Sequence, residues 1–264
     1  MRRAALLAIA GVLLIGASAI AVRVSNPEPP ISPAAAPKPK LALLTSLPLI
    51  FADSFSLEGG GSPALESLER HYAVEPIGVG DATSLAGKSL LLMAHPRAQP
   101  AEALVELDAW VRAGGRLLLL ADPKLDWHSE RPLGDPLRPP PDFADSGLLA
   151  HWGLALGGPI VDGPVVRPAA GKQILFVSPG RLASRAACRI SDDGLIARCA
   201  IARGAVTVIA DADFLNLAGP GAIDGPTAQN LELLIGELAR LKTRQPARPQ
   251  PYPQARPKEQ AKND

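Results

Sequence analysis

Residues 89–122 constrain this chain more than any other stretch. Ser89-Leu-Leu-Leu-Met-Ala is apolar almost throughout, and a strand without polar alternation is one covered on both faces. Pro100 to Ala113 follows as a helix, with Leu104, Leu107 and Val111 along one side. Glu102 sits near the positive end of its macrodipole, and Gly114-Gly115 supplies a left-handed stop. Arg116-Leu-Leu-Leu-Leu-Ala-Asp is a second apolar strand. Two covered strands joined by an amphipathic crossover are the building unit of a parallel sheet. The expected class is therefore α/β, a mostly parallel open sheet flanked by helices.

The rest of the chain extends that pattern. Leu41-Ala-Leu-Leu-Thr-Ser-Leu reads as a first buried strand, and Ser62-Pro63 opens a helix carrying Leu65, Leu68 and Tyr72. Val74 to Val79 reads as a second strand. Between the sheet-forming segments, Pro123 to Asp142 is a long polar loop with the run Arg138-Pro-Pro-Pro, and a loop of that length is functional more often than neutral. A short helix through Leu148, Leu149 and Trp152 leads into a β-rich insertion containing Gln173-Ile-Leu-Phe-Val-Ser. Gly204 to Asp211 returns as a strand, and a helix from about Thr227 to Leu241 presents Leu231, Leu234, Leu238 and Leu241.

Both ends differ in character from this middle. Arg2 and Arg3 precede an uncharged apolar run from Ala4 to Val22, closed by Arg23. About 20 helical residues span a bilayer core, and the leading arginines place the N-terminus in the cytoplasm. The run is long for a secretory signal, whose apolar part is ~7–15 residues, although Ala17, Ala19 and Ala21 suit a cleavage site. A retained anchor is the expectation and a cleaved signal the alternative. The resulting division is a membrane segment over 1–23, a Pro-rich linker over 24–40, an α/β domain over 41–242 and a disordered tail over 243–264. The tail holds almost no large apolar side chain and cannot offset its ordering entropy. Formal charge is +1, with no basic stripe and no interleaved aromatics, which argues against nucleic acid as a partner.

The two cysteines, Cys188 and Cys199, flank a segment centred on Asp193-Gly194, a two-residue hairpin signal. With those residues as the turn, the cysteines fall opposite each other across two antiparallel strands, at a separation a disulfide bridges. A disulfide in turn points to an oxidising compartment.

Candidate chemistry lies at the strand ends. Ligands of open parallel sheets bind beyond the carboxyl ends of the strands, where this sequence places His95, Asp122, Asp211 and Asp213. Converging, they can bind a metal or a polyol, or act as acid and base; taken singly, they cap helices and brace loops. No Gly-x-Ser-x-Gly elbow occurs, and Gly59-Gly60-Gly61 lacks the Lys-Ser/Thr of a phosphate-binding loop. No motif requires a cofactor or a structural metal. His128 and His151, beside Trp127 and Trp152, read as packing residues.

Several segments together resemble the GldG-like family, the periplasmic domain of an uncharacterised ABC-type transport system linked to gliding motility. They are the apolar N-terminus, Leu41-Ala-Leu-Leu-Thr-Ser-Leu-Pro-Leu, and the stretch from Leu104 through Trp110, Gly114 and Gly115 to Asp122-Pro123. Ala210-Asp-Ala-Asp-Phe-Leu-Asn and Asn230 complete the set. The resemblance implies a flavodoxin-like fold similar to class I glutamine amidotransferases without their catalytic cysteine. It also implies a non-catalytic auxiliary part of an ABC transporter, single-pass in the bacterial inner membrane, with a permease or another envelope protein as partner. It carries over no catalytic residue, and this chain lacks a second, C-terminal apolar helix. The alternatives are a hydrolase or carbohydrate-active enzyme using the strand-end acids, and an envelope scaffold spaced by its proline-rich ends. For an anchored protein, the mass of the exported chain equals that of the full-length one. A loss of about two kilodaltons, measured by intact-mass spectrometry, identifies a cleaved signal instead.

Overall fold

The computed structural model describes residues 37–50, 61–185 and 188–243. The apolar segment 4–22, the linker up to residue 36, the glycine-rich stretch up to Gly60 and the tail from residue 244 lie outside the described residues. No helix among the described residues is long and apolar enough to cross a membrane.

The architecture is mixed α/β around a mostly parallel seven-stranded sheet, with few helices. Its strands are Lys40–Thr45 (β1), Ala73–Pro76 (β2), Leu90–Ala94 (β3), Arg116–Leu120 (β4), Arg189–Ser191 (β9), Ile196–Ile201 (β10) and Gly204–Ile209 (β11). They lie in the order β2-β1-β3-β4-β11-β10-β9. The first five run parallel, and β10 and β9 extend the sheet antiparallel. Two small antiparallel pairs, Leu154–Gly157 (β5) with Arg181–Ser184 (β8) and Pro164–Ala169 (β6) with Lys172–Val177 (β7), fall between β4 and β11 in sequence.

The unbroken apolar strands are explained by two separate cores. Successive side chains of a strand point to opposite faces. Leu41, Leu43, Leu90, Leu92, Leu118 and Leu120 therefore meet helices Pro63–His71 (α1) and Asn230–Thr243 (α5) on one side. Ala42, Leu91, Met93, Leu117 and Leu119 meet helix Ala101–Arg112 (α3), through Leu107 and Val111, on the other. Both faces are dry, so neither admits polar alternation. Helix starts follow the sequence closely. Ser62 Oγ accepts from Leu65 N at 3.2 Å with Pro63 at the first helical position, and Pro100 stands just before α3. Close approach also selects Gly204, where a Cβ would lie 1.9 Å from the Val111 carbonyl oxygen at the end of α3.

Two boundaries depart from the sequence reading. β2 stops at Pro76 rather than Val79. It is an edge strand, its proline has no amide to donate, and after Ile77 N reaches Leu43 O at 2.9 Å the chain turns to the Asp81 cap of helix Ala82–Leu85 (α2). The last helix begins at Asn230 rather than Thr227, because Asn230 is drawn inward. Its Oδ1 accepts from Leu175 N at 3.1 Å, and its Nδ2 donates to Leu175 O and Phe214 O at 3.0 and 2.9 Å. The same helix buries Leu233 and Glu237 as well as leucines, with Glu237 1% exposed. Arg198 of β10 grips both Glu237 carboxylate oxygens, at 2.9 and 2.6 Å.

The cysteine hairpin has the expected register. Asp193 and Gly194 both adopt left-handed backbone (φ 52° and 89°), and Leu195 N donates to Asp192 O at 3.1 Å to close the turn. Ser191 then faces Ile196 and Arg189 faces Arg198, which brings Cys188 opposite Cys199. The two form a disulfide with a Cα–Cα distance of 4.2 Å. It clips the three-residue edge strand β9 to β10, closing a sequence separation of only 11 residues. A Cys188→Ser/Cys199→Ser variant is expected to lose about 2–3 kcal/mol of unfolding free energy. Urea denaturation with and without reductant checks this: reductant should destabilise the wild type by that amount and leave the variant unmoved.

Candidate functional site

The carboxyl ends of β4 and β11 lie side by side, because Ile209 pairs with Leu120. Ala121 N still reaches Ile209 O at 2.9 Å and Ala210 N reaches Leu195 O at 3.0 Å, and beyond them the chain leaves the sheet in both places. Buried backbone donors must be satisfied by something, and here three aspartates do it. Asp122 Oδ2 accepts from Ala212 N at 2.8 Å and from Asp213 N at 3.4 Å, while its Oδ1 accepts from Lys124 N at 2.9 Å. Asp211 accepts from Val177 N and Phe214 N, both at 2.9 Å. Asp213 Oδ2 accepts from Asp126 N at 2.7 Å. Asp126 in turn receives the Ser178 hydroxyl at 2.9 Å, and Ser178 Oγ accepts from Gly163 N at 2.9 Å. Ser178 holds a left-handed backbone (φ 49°) at the end of β7.

All four residues singled out from the sequence are 0% exposed. The structure brings Asp122, Asp211 and Asp213 together and leaves His95 out of their network. His95, in left-handed backbone (φ 45°) after β3, places Nε2 3.0 Å from Pro140 O, an arrangement in which Nε2 carries the proton; Nδ1 has no partner among the described residues. Burial lowers its pKa to about 4, so the ring is neutral. Burial likewise raises Asp122 to about 6, with Asp126 adding repulsion. Asp213 rises to about 8 through burial and the neighbouring Asp122. Asp211 is pushed well above the usual range by burial, then by Asp122 and Asp213. No cation offsets these acids through an ion pair among the described residues, and no group of three or more Asp, Glu, His or Cys side chains there is arranged to hold a metal ion. Each of the three aspartates accepts hydrogen bonds from backbone amides of the neighbouring loops.

What they hold is the wall of a cleft. A cavity of about 490 Å³ opens beside them, lined by Trp127, His128, Glu130 and Arg131 on one side and by Leu215 and Leu217 to Pro220 on the other. Pro132 and Asp135 extend the first wall, and Pro48 and Gly61 to Pro63 also line the cavity. Asp122 and Asp213 stitch the 124–126 segment to the 212–213 segment, from which the two walls spring. The walls touch at Gly221 (φ 72°), where a Cβ would lie 2.5 Å from His128 Cβ. None of His95, Asp122, Asp211 or Asp213 lines the cavity.

The histidines read as packing residues prove otherwise. His128 is exposed on the cleft wall. His151 stands 3.3 Å from Asp108 Oδ2, with its side chain 55% exposed, because Trp152 turns inward and donates Nε1–H to Asp108 Oδ1 at 2.8 Å. Sequence reasoning missed Trp127 as a cleft residue. The available signal was a lone tryptophan inside a long polar loop.

No protein-family model and no curated protein matches the chain. Among solved structures it is similar to the exo-β-1,4-mannosidase Op5Man5 from Opitutaceae bacterium strain TAV5, at 14% identity and a TM-score of 0.45, covering 78% of this chain and 34% of that one. The chain thus spans about a third of the mannosidase. It is also similar to the N-terminal domain of mmIFT52, at 14% identity and a TM-score of 0.48 over 77% of this chain and 97% of that one. A third is the cytoplasmic protein STM1381 from Salmonella typhimurium LT2, at 11% identity and a TM-score of 0.48 over 76% and 99%.

The aspartate network carries a pH signature. Folded Asp213 binds its proton below about pH 8, whereas an unfolded aspartate does so near ~3.9. The folded chain therefore holds the extra proton between those values, and its stability falls as pH rises through that window. His95 has the opposite sign: its folded value of about 4 lies below the ordinary 6.5, so its contribution is present above pH 6.5 and lost toward pH 4. Above pH 6.5 only the acids act. The melting temperature is expected to drop by several degrees from pH 6.5 to 9, at about 2–4 °C per kcal/mol. Asp213→Asn keeps the acceptor for Asp126 N and cannot titrate, so it should flatten that drop. Calorimetry at the two pH values measures it, and an unchanged slope refutes the assignment.

Proposed function

We propose that this chain is a non-catalytic binding domain tethered at the periplasmic side of a bacterial inner membrane, an auxiliary component of an ABC-type transport system. Its cleft takes a small ligand or a segment of a partner protein. One observation carries the reading: the strand-end acids are closed off and engaged by backbone amides, while the open cavity beside them has an aromatic and aliphatic wall. Such a surface suits binding through apolar and aromatic contact. Both cysteines lie in the disulfide, which leaves no thiol and suits an oxidising compartment. The strand order β2-β1-β3-β4-β11 supports a flavodoxin-like sheet, similar to class I glutamine amidotransferases as the sequence resemblance implies. The tether and transporter association rest on the apolar run Ala4 to Val22 and on that same resemblance.

A hydrolase or carbohydrate-active enzyme working through Asp122, Asp211 or His95 is the competing reading. The raised pKa values of the buried acids favour it, since perturbed groups gather at active sites. Affinity purification of the full chain from detergent-solubilised native membranes separates the two. An ATPase or permease subunit of an ABC transporter should co-purify at near-stoichiometric yield. Its absence after mild cross-linking overturns the transporter role, and hydrolysis abolished by Asp122→Asn in a chain that still folds establishes the enzyme.

A further inference from the structure

We infer that the cleft between Trp127 and Leu215–Leu217 is a binding site for a neutral, polyhydroxylated ligand, a sugar of one or two rings. The inference deepens the binding reading above and rests on it. Size is the first argument. A cavity of about 490 Å³ falls within the ~300–1,000 Å³ of small-molecule sites.

The lining chemistry selects the ligand class. Trp127 is only half-buried, and its indole N–H has no hydrogen-bond partner among the described residues. Tryptophan offers a wide apolar face with one donor at its edge, which matches the C–H face and rim hydroxyls of a pyranose. His128 and Glu130 are exposed on the same wall and likewise carry no side-chain partner among the described residues. Together they present one donor, one carboxylate acceptor and an imidazole that serves as either, the mixture that hydroxyl groups satisfy. Leu215 and Leu217 supply the apolar opposite wall.

Charge disfavours anionic ligands. Among the described residues, Arg131 is the only Lys or Arg lining the cavity, and it faces Asp135 at 3.8 Å with Glu130 adjacent in sequence. A phosphate or carboxylate would meet more negative than positive charge. The single guanidinium, already facing Asp135, leaves an anion no unengaged cation among the described lining residues. Preorganisation strengthens the case. Asp122 and Asp213 hold both walls by their backbone, so a ligand need not order them, and little affinity is lost to that step.

The test uses the full chain in a detergent without a sugar headgroup, titrated separately with cellobiose, maltose and N,N′-diacetylchitobiose. Tryptophan fluorescence and saturation-transfer NMR report binding. At least one disaccharide is expected to bind saturably with a Kd below about 1 mM, the weak end of specific recognition. Trp127→Ala should weaken that binding about tenfold or more. Glu130→Gln, on an exposed side chain that leaves the fold untouched, should weaken it severalfold. The inference is overturned if no sugar binds, if binding survives both substitutions, or if inorganic phosphate or a peptide of residues 244–258 binds in place of the sugars. Co-purification of transporter subunits without sugar binding sinks this inference alone; sugar binding without co-purification sinks the transporter role alone.

Discussion

The carboxyl group of Asp122 ties together two segments that are 90 residues apart in sequence. It does so where a parallel sheet is weakest in hydrogen bonding, at the carboxyl ends of neighbouring strands, where the chain leaves the ladder and its amides lose their partners. Water is excluded there, so an unanswered amide is expensive. One oxygen of Asp122 answers the β11 exit and the other answers the β4 exit. Asp211 and Asp213 repeat the device toward β7 and the long loop. The position of both cleft walls follows from these few bonds.

The same arrangement decides the charge state of the region. Three acids placed together without a paired cation among the described residues ionise only above the usual carboxylate range, because each is desolvated and Asp211 and Asp213 also face the charge of Asp122. They keep protons that a surface aspartate would give up. A neutral carboxyl still accepts a hydrogen bond from an amide, so the bracing role is retained while the role of an exposed base is not.

Much of the fold was legible in the chain. The unbroken apolar runs at Leu90–Ala94 and Arg116–Leu120 signalled strands covered on both faces, and two separate cores cover them. The Asp193-Gly194 turn determined a hairpin register, and that register alone placed Cys188 against Cys199. The positions of His95, Asp122, Asp211 and Asp213 at strand ends were also readable. Their task was not. A pattern of acids after strands is the same whether the side chains point outward to a ligand or inward to backbone, and only the neighbouring segments decide which. The boundaries that shifted, at Pro76 and Asn230, did so because a partner distant in sequence overrode the local preference.

Local sequence determined whatever depends on local periodicity and turn chemistry: strand type, helix starts at Ser62 and Pro100, the hairpin and its disulfide, and the apolar, arginine-flanked N-terminal segment. Tertiary structure alone decided the cleft. Trp127 and Leu215 lie nearly ninety residues apart, on loops without periodicity, and no local rule brings them together. They face one another because β4 and β11 pair in the sheet and because Asp122 and Asp213 pin the loops that follow. The acids first seen as candidate chemistry bond the loops that carry the cleft walls.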